Sequence, residues 1–311
     1  SGKSSLISGI VYPALYNFLA AGNAEPLEIP GSFKKISGQN QLVGVSMIDQ
    51  RPIGKSPRSN PATYIKAFDE IRREFSRTDL AQTMGYQPGY FSFNTAGGRC
   101  ERCKGAGYEQ IEMQFMADVY VPCELCSGRR YSQSALAIKY RGLNIANVLE
   151  LTVNEAIELF GANSRIGKPL WMLQSVGLGY LKLGQSATTL SGGESQRLKI
   201  ARLLSESPSK AGKGKRAKKR GTLYILDEPT TGLHSREVKK LLAVLDRLVD
   251  SGNTVLVIEH HPEVIVHADW IADIGPEAGD SGGQLVAQGS AKEIAGCRES
   301  RTGEVLKEFI S

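Results

Sequence analysis

Cysteine, tryptophan and histidine are scarce in this sequence, and long apolar runs are missing. Its 311 residues include five cysteines, a density too low for a small domain held together by disulfides. No stretch is apolar for long enough to indicate a transmembrane helix. Residues 4–24 carry no charge and follow Lys3, as in a signal peptide, but Pro13 and Asn17 interrupt them and no cleavage pattern follows. We therefore expect a cytoplasmic protein with no membrane partner.

Wholesale disorder is also excluded, because 41% of the residues are hydrophobic and 23% are charged. At this length the chain can form about two or three domains with a large core. The formal net charge is +6, but residues 210–220 alone carry seven positive charges and no negative one. The rest of the chain is close to neutral, so overall charge does not by itself indicate nucleic-acid binding. We interpret the basic segment as a disordered insertion within a loop at 205–221.

Short apolar segments alternate with helical patterns along the chain. The segments 42–48, 223–226 and 254–258 are continuous apolar runs, which is typical of strands buried on both faces. Helices are predicted at 61–75, 152–160, 169–177, 194–204 and 241–248. This order predicts an α/β fold with a parallel sheet covered by helices.

Residues with phosphate- and metal-binding chemistry follow these apolar segments or open the chain. Gly2-Lys3-Ser4, continued by Ser5, is the end of a phosphate-binding loop, in which lysine contacts phosphates and serine can hold Mg²⁺. The first glycine of that loop and the strand before it are absent, so we interpret the sequence as a fragment of a longer protein. Asp227 ends an apolar strand and can bind Mg²⁺, and Glu228 could polarise a water for in-line attack.

Three further elements have chemistry suited to a nucleotide. Leu-Ser-Gly-Gly-Glu at 190–194 begins a helix, where Ser191, Gly192 and Gly193 expose backbone N–H groups suited to a phosphate. Gln50 and His260 each follow a strand, and could orient a water or metal and touch a γ-phosphate, respectively. Each element is common by chance when it stands alone. Their joint order is that of the ATP-binding-cassette family, which the sequence resembles.

Four of the cysteines form two closely spaced pairs. Cys100 and Cys103, then Cys123 and Cys126, have the spacing C-x₂-C-x₁₉-C-x₂-C. This spacing lets four thiolates surround one tetrahedral Zn²⁺ and leaves no open catalytic position. The alternatives are two disulfides or free thiols. The pattern predicts a structural zinc module over about residues 94–131, whereas Cys297 receives no role.

Cations accompany the cysteine pairs, and a rigid basic module would suit the phosphates of DNA. The candidate DNA-binding residues are Arg99, Arg102, Lys104, Arg129 and Arg130. The alternative is an ordinary solvated surface, since Glu101 and Glu124 are close in sequence.

A four-cysteine unit between the glutamine and the Leu-Ser-Gly-Gly motif is typical of one branch of the cassette family, the UvrA damage sensors of the bacterial excision nuclease. The stretches that resemble UvrA are 49–54, 57–64, 91–94, 97–100, 118–123 and 230–234. The likeness covers nearly the whole chain and is to the second, C-terminal cassette of that family. Two features depart from it: the basic segment 210–220, and His261, where asparagine is commoner.

The resemblance implies an ATPase that is not itself a nuclease. It implies that Gly2, Lys3, Ser4, Ser5 and Asp227 bind ATP and Mg²⁺, that Gln50, Glu228 and His260 are catalytic, and that Ser191, Gly192 and Gly193 cap the ATP of another cassette. It further implies a homodimer, an N-terminal cassette in the same protein, binding to duplex DNA with lesions, and loading of the UvrB helicase. The implied domains are a core part at 1–50, a signature domain at 51–190 and a second core part at 191–311.

Other interpretations fit parts of the sequence. A transporter ATPase leaves the cysteine unit unexplained, and a zinc module of the J-domain co-chaperone type leaves the ATPase motifs unexplained. A UvrA-like paralogue that protects against DNA-binding drugs would share every motif. A fragment without activity is compatible with the missing start of the phosphate loop.

Overall fold

The computed structural model describes residues 2–20, 25–54, 56–111, 113, 119–206, 220–275 and 282–310. The basic segment 210–220, predicted to be a disordered insertion, lies outside these residues except for Arg220. The chain divides into two compact units, which we call the sheet unit (1–50 and 209–311) and the helical unit (51–208). This division places the helix that follows Ser191 in the helical unit.

The described residues form both α-helices and β-strands, with several consecutive helices in the helical unit. The strands are β1 (Leu42–Ile48), β2 (Tyr108–Ile111), β3 (Val119–Pro122), β4 (Gly221–Asp227), β5 (Thr254–Ile258), β6 (Ile271–Gly275) and β7 (Gln284–Gly289). The α-helices are α1 (Lys3–Leu6), α2 (Tyr12–Ala20), α3 (Pro61–Tyr64), α4 (Ala67–Ser76), α5 (Asp79–Thr83), α6 (Gln133–Ala137), α7 (Ile145–Glu150), α8 (Val153–Phe160), α9 (Gly167–Ser175), α10 (Gly192–Glu206), α11 (Ser235–Asp250), α12 (Pro262–His267), α13 (Ala291–Gly296) and α14 (Arg301–Ile310). Among the described helices, none is both long and apolar enough to cross a membrane.

Three parallel strands form the main sheet of the sheet unit, in the order β1-β4-β5. Strands β1 and β5 have the predicted bounds, and β4 is longer than the predicted 223–226. The α/β fold class with a parallel sheet is confirmed. Because β4 lies in the middle, its carboxyl end at Asp227 has a neighbouring strand on each side.

Apolar side chains of the flanking helices pack on this sheet. Leu15 of α2 forms a buried cluster with Leu223 and Ile225 of β4. Val238 and Leu242 of α11 form another buried cluster. These contacts fix the helices that lead away from the carboxyl edge of the sheet.

Two features of the fold differ from the sequence expectation. The helix predicted over 61–75 is divided into α3 and α4, because Lys66 adopts a left-handed conformation with φ of 64°. Left-handed lysine is uncommon, so no local signal marks this break. The antiparallel pair β6–β7 was not predicted, since its strands are short and only partly buried.

Candidate nucleotide site and metal centre

The phosphate-loop segment and the central strand meet at the carboxyl edge of the sheet. Gly2 has φ of 76° and its carbonyl accepts from the Leu6 N–H at 2.9 Å, so the first helix begins at Lys3. The Ser4 hydroxyl donates to Oδ1 of Asp227 at 3.1 Å. Adjacent ligands of an octahedral Mg²⁺ with bonds of 2.0–2.1 Å are about 2.9 Å apart. The two oxygens therefore fit the spacing of neighbouring Mg²⁺ ligands.

A carboxylate and an imidazole lie at the same edge. Glu228 follows β4 with φ of 46°, an uncommon value for a residue other than glycine, and its N–H donates to the Ile258 carbonyl at 2.9 Å. Its Oε1 is 4.0 Å from Nδ1 of His260, and the two side chains are 49% and 75% exposed. Both groups are therefore accessible to a ligand from solvent. Gln50 is exposed just beyond the carboxyl end of β1.

Glu259, which the sequence patterns do not single out, is buried at the same edge of the sheet. It precedes His260, but its side chain is only 3% exposed. Its carboxylate accepts from the backbone N–H and hydroxyl of Thr230, and from the backbone N–H groups of His260 and His261. Burial acts to raise the pKa of Glu259, but these hydrogen bonds outweigh it and hold the pKa below its ordinary value. The only local signal was a glutamate directly after an apolar strand.

In the helical unit, the Leu-Ser-Gly-Gly motif is shaped by reciprocal hydrogen bonds. The Ser191 N–H donates to the Glu194 carboxylate at 2.7 Å, and the Glu194 N–H donates to the Ser191 hydroxyl oxygen at 3.2 Å. The Tyr180 hydroxyl donates to the other oxygen of Glu194 at 2.6 Å. Burial, followed by the Glu194 carboxylate, raises the pKa of Tyr180 to about 12. Gly192 and Gly193 then begin α10, with Gly193 buried.

The four paired cysteines form one buried cluster, also in the helical unit. Cys100, Cys103, Cys123 and Cys126 are each no more than 7% exposed, and their sulfurs lie within 4.8 Å of one another. The Sγ–Sγ distances are 3.9 Å for Cys100–Cys123 and 3.7 Å for Cys103–Cys126. Four thiolates at about 2.3 Å from a tetrahedral Zn²⁺ would be about 3.8 Å apart. A disulfide needs about 2.0 Å, so the geometry suits a metal ion and not two disulfides.

The two cysteine pairs have the same backbone shape. After the second cysteine of each pair, two residues are left-handed: Lys104 and Gly105 with φ of 50° and 81°, then Ser127 and Gly128 with φ of 50° and 79°. The antiparallel pair β2–β3 lies between the two cysteine pairs. Each cysteine pair is therefore followed by a turn of the same backbone conformation.

Arg130 differs from the other candidate DNA-binding residues, because its side chain is engaged within the helical unit. The residue is 8% exposed, and its guanidinium donates to the Tyr108 hydroxyl at 3.3 Å and to the Gly184 carbonyl at 3.1 Å. It also lies over the Phe93 ring, 5.4 Å from the centroid. These contacts connect the cysteine module to distant parts of the unit.

The remaining cations lie closer to solvent. Arg99 is 3.5 Å from a carboxylate oxygen of Glu101, and Arg102 is 2.7 Å from one of Glu109. Two further candidates are exposed: Lys104 and Arg129.

A three-stranded parallel sheet with a serine–aspartate contact at its carboxyl edge is typical of the phosphate-loop nucleotide-binding class of proteins. No protein-family model matches the chain. UvrABC system protein A of Clostridium perfringens and that of Aquifex aeolicus are each 52% identical over 310 residues, covering 100% of this chain and 32% of each relative.

A solved structure agrees with the sequence relatives. The crystal structure of UvrA2 from Deinococcus radiodurans is 47% identical, with a TM-score of 0.83 over 99% of this chain and 36% of that one. The chain belongs to the UvrA family. It spans about a third of the length of the curated relatives that it matches.

Proposed function

We propose that this chain supplies an ATP-hydrolysing cassette of a UvrA-type protein that recognises DNA damage in nucleotide excision repair. The observation that carries the proposal is the contact of Ser4 with Asp227, beside Glu228 and His260, at one edge of a parallel sheet. The family supports excision repair as the setting. The four-cysteine cluster argues against a transporter ATPase, which has no need for a structural metal module.

The residues at the sheet edge have complementary roles in this proposal. Ser4 and Asp227 would hold Mg²⁺, which neutralises charge on the phosphate oxygens. Gly2, Lys3 and Ser5 would contact the phosphates from the start of the first helix. Glu228 would orient and polarise the attacking water, and its exposed carboxylate leaves room for one.

His260 would donate to the γ-phosphate, since its imidazole is exposed at the same edge. Gln50 would contact the water or the metal ion from the end of the neighbouring strand.

The helical unit would act on a second nucleotide. Ser191 accepts from the Glu194 N–H, and its own hydroxyl hydrogen can still donate to a phosphate. With the backbone of Gly192 and Gly193, it would cap ATP held by another cassette. That cassette would be the N-terminal one of the same protein or one from a second copy in a homodimer.

The cysteine module would bind Zn²⁺ and contact duplex DNA that carries a lesion. Its exposed cations would bind phosphates without reading bases, which suits a protein that senses helix distortion. Arg102, Lys104 and Arg129 are the exposed candidates, supported by Arg99. ATP turnover would then gate DNA binding and the loading of UvrB. The division into two core parts at 1–50 and 191–311 and a signature domain at 51–190 is part of the same proposal.

The test is the substitution Glu228→Gln in the complete protein. We expect ATP binding to be retained and the turnover contributed by this site to fall by at least about tenfold, because the amide cannot polarise the water. The matched control is Glu293→Gln in the same unit, where the carboxylate caps Ser290 at the start of α13. Nucleotide binding and phosphate release measure the two steps. Unchanged turnover in Glu228→Gln would remove the proposed reaction from this site.

A further inference from the structure

The buried carboxylate of Glu259 has no part in the reaction described above, yet it contacts both segments that carry that reaction. Thr230 donates to it with the backbone N–H at 2.9 Å and with the side-chain hydroxyl. On the other side, the N–H groups of His260 and His261 donate at 2.9 and 3.2 Å. The donors come from the loop after β4 and from the turn after β5, which are about thirty residues apart.

The loop after β4 needs such a contact. Glu228 holds a left-handed backbone with φ of 46°, and a conformation of this kind persists only where its surroundings enforce it. Its N–H is held by the Ile258 carbonyl. Two residues later, Thr230 is 7% exposed and is held by Glu259. The loop is therefore fixed to β5 and the following turn at two points on either side of Pro229.

Glu259 also lies next to the imidazole. Its Oε2 is 3.9 Å from Nδ1 of His260, and the Oε1 of Glu228 is 4.0 Å from the same atom. A buried carboxylate with four donors has one orientation, whereas exposed side chains such as those of Glu228 and His260 do not orient themselves. The hydrogen bonds of one buried side chain, that of Glu259, therefore hold the backbone segments that carry Glu228 and His260.

We propose that Glu259 is a positioning residue for ATP hydrolysis, which holds the loop of Glu228 and the turn of His260 in the arrangement that the attack on the γ-phosphate requires. The proposal rests on the function proposed above. Glu259 itself contacts neither nucleotide nor water in this scheme; it acts through the two backbone segments.

The experiment measures kcat and KM for ATP in the complete protein. The turnover that remains in Glu228→Gln is subtracted from that of every other variant, so that hydrolysis at any other ATP site does not enter the comparison. In Glu259→Gln, one accepting carboxylate oxygen is replaced by an amide N–H₂ group, which cannot accept hydrogen bonds from the backbone N–H groups that face it. We expect kcat to fall by at least about tenfold while KM stays within about twofold, because orientation is lost and binding is not. Glu259→Asp retains the charge and should recover part of kcat, and the control Glu293→Gln should match the unchanged protein.

A second pair of variants covers the case in which Glu259→Gln does not fold. Thr230→Val removes one donor with little change in shape, and Thr230→Ser keeps it. We expect kcat to fall in Thr230→Val and to be retained in Thr230→Ser, again without a change in KM. Unchanged kcat in both Glu259→Gln and Thr230→Val, or a raised KM with constant kcat, would overturn the positioning role. If Glu228→Gln also has no effect, the proposed reaction itself fails, and the two failures are thereby distinguished.

Discussion

The repeated turn of the cysteine module allows a test in which two chemically identical substitutions should have different effects. Gly105 and Gly128 follow the second cysteine of each pair, with φ of 81° and 79°. A Cβ added at Gly128 meets no atom within 4 Å. A Cβ added at Gly105 would lie 1.9 Å from the carbonyl oxygen of Phe93, which is itself fully buried.

The expected free-energy costs follow from these two environments. Either substitution to alanine places a Cβ on a left-handed residue, which costs about 1–2 kcal/mol. Only Gly105→Ala must also displace buried backbone at Phe93, an overpacking cost of about 1–3 kcal/mol. We expect this extra overpacking cost to weaken zinc binding, because the Gly105 N–H donates to the carbonyl of Cys100 and a displaced Gly105 therefore distorts the turn that holds the cysteines. At about 1.4 kcal/mol per factor of ten, zinc affinity should be about 5–150-fold lower in Gly105→Ala than in Gly128→Ala.

The assay is equilibrium competition for zinc with a chromogenic chelator, applied to both variants of the complete protein at one pH. Metal analysis of the unchanged protein provides the stoichiometry, for which we expect one ion per four-cysteine cluster. Equal zinc affinities in the two variants would refute the reasoning, because the backbone strain is shared and only the contact with Phe93 differs. Absence of bound zinc in the unchanged protein would contradict the metal centre itself.

Two further predictions concern charged groups. In fluorescence anisotropy, Arg129→Ala should lower the affinity for lesion-bearing duplexes and reduce the salt dependence of log affinity by about one. Arg130→Ala should mainly lower the free energy of unfolding, because Arg130 is buried against Phe93 and bonded to Gly184. Equal salt dependence of DNA affinity in the two variants would contradict this division. The pKa of Glu194 is lowered from 4.5, because hydrogen bonds from Tyr180 and Ser191 outweigh its burial. Its ionised form therefore stabilises the fold above about pH 4.5, and this contribution is lost as pH falls through the lowered pKa. Denaturant unfolding of Glu194→Gln beside the unchanged protein should show a stability difference that shrinks below that pH, and a difference that is constant with pH would contradict the assignment.

Local patterns were sufficient to predict the parts of the fold that have a short period or a short spacing. The runs at 42–48 and 254–258 are strands as predicted, because a strand buried on both faces must be apolar throughout. The two Cys-x₂-Cys pairs predicted one cluster, because two intervening residues are enough for both sulfurs to reach the same point. The order of the nucleotide motifs along the sequence by itself indicates the family.

Contacts between distant parts of the chain decided the rest. Whether a cation near the cysteines is exposed like Arg129 or buried like Arg130 depends on Gly184, 54 residues further along the chain. The buried carboxylate of Glu259, which follows β5, accepts hydrogen bonds from Thr230 in the loop after β4. A charged side chain has no sequence signature for burial, since its cost is offset only by donors that the fold brings to it. The sequence by itself therefore determined which reactive groups are present and in what order, and the tertiary structure determined which of them are exposed and which are buried among hydrogen-bond donors.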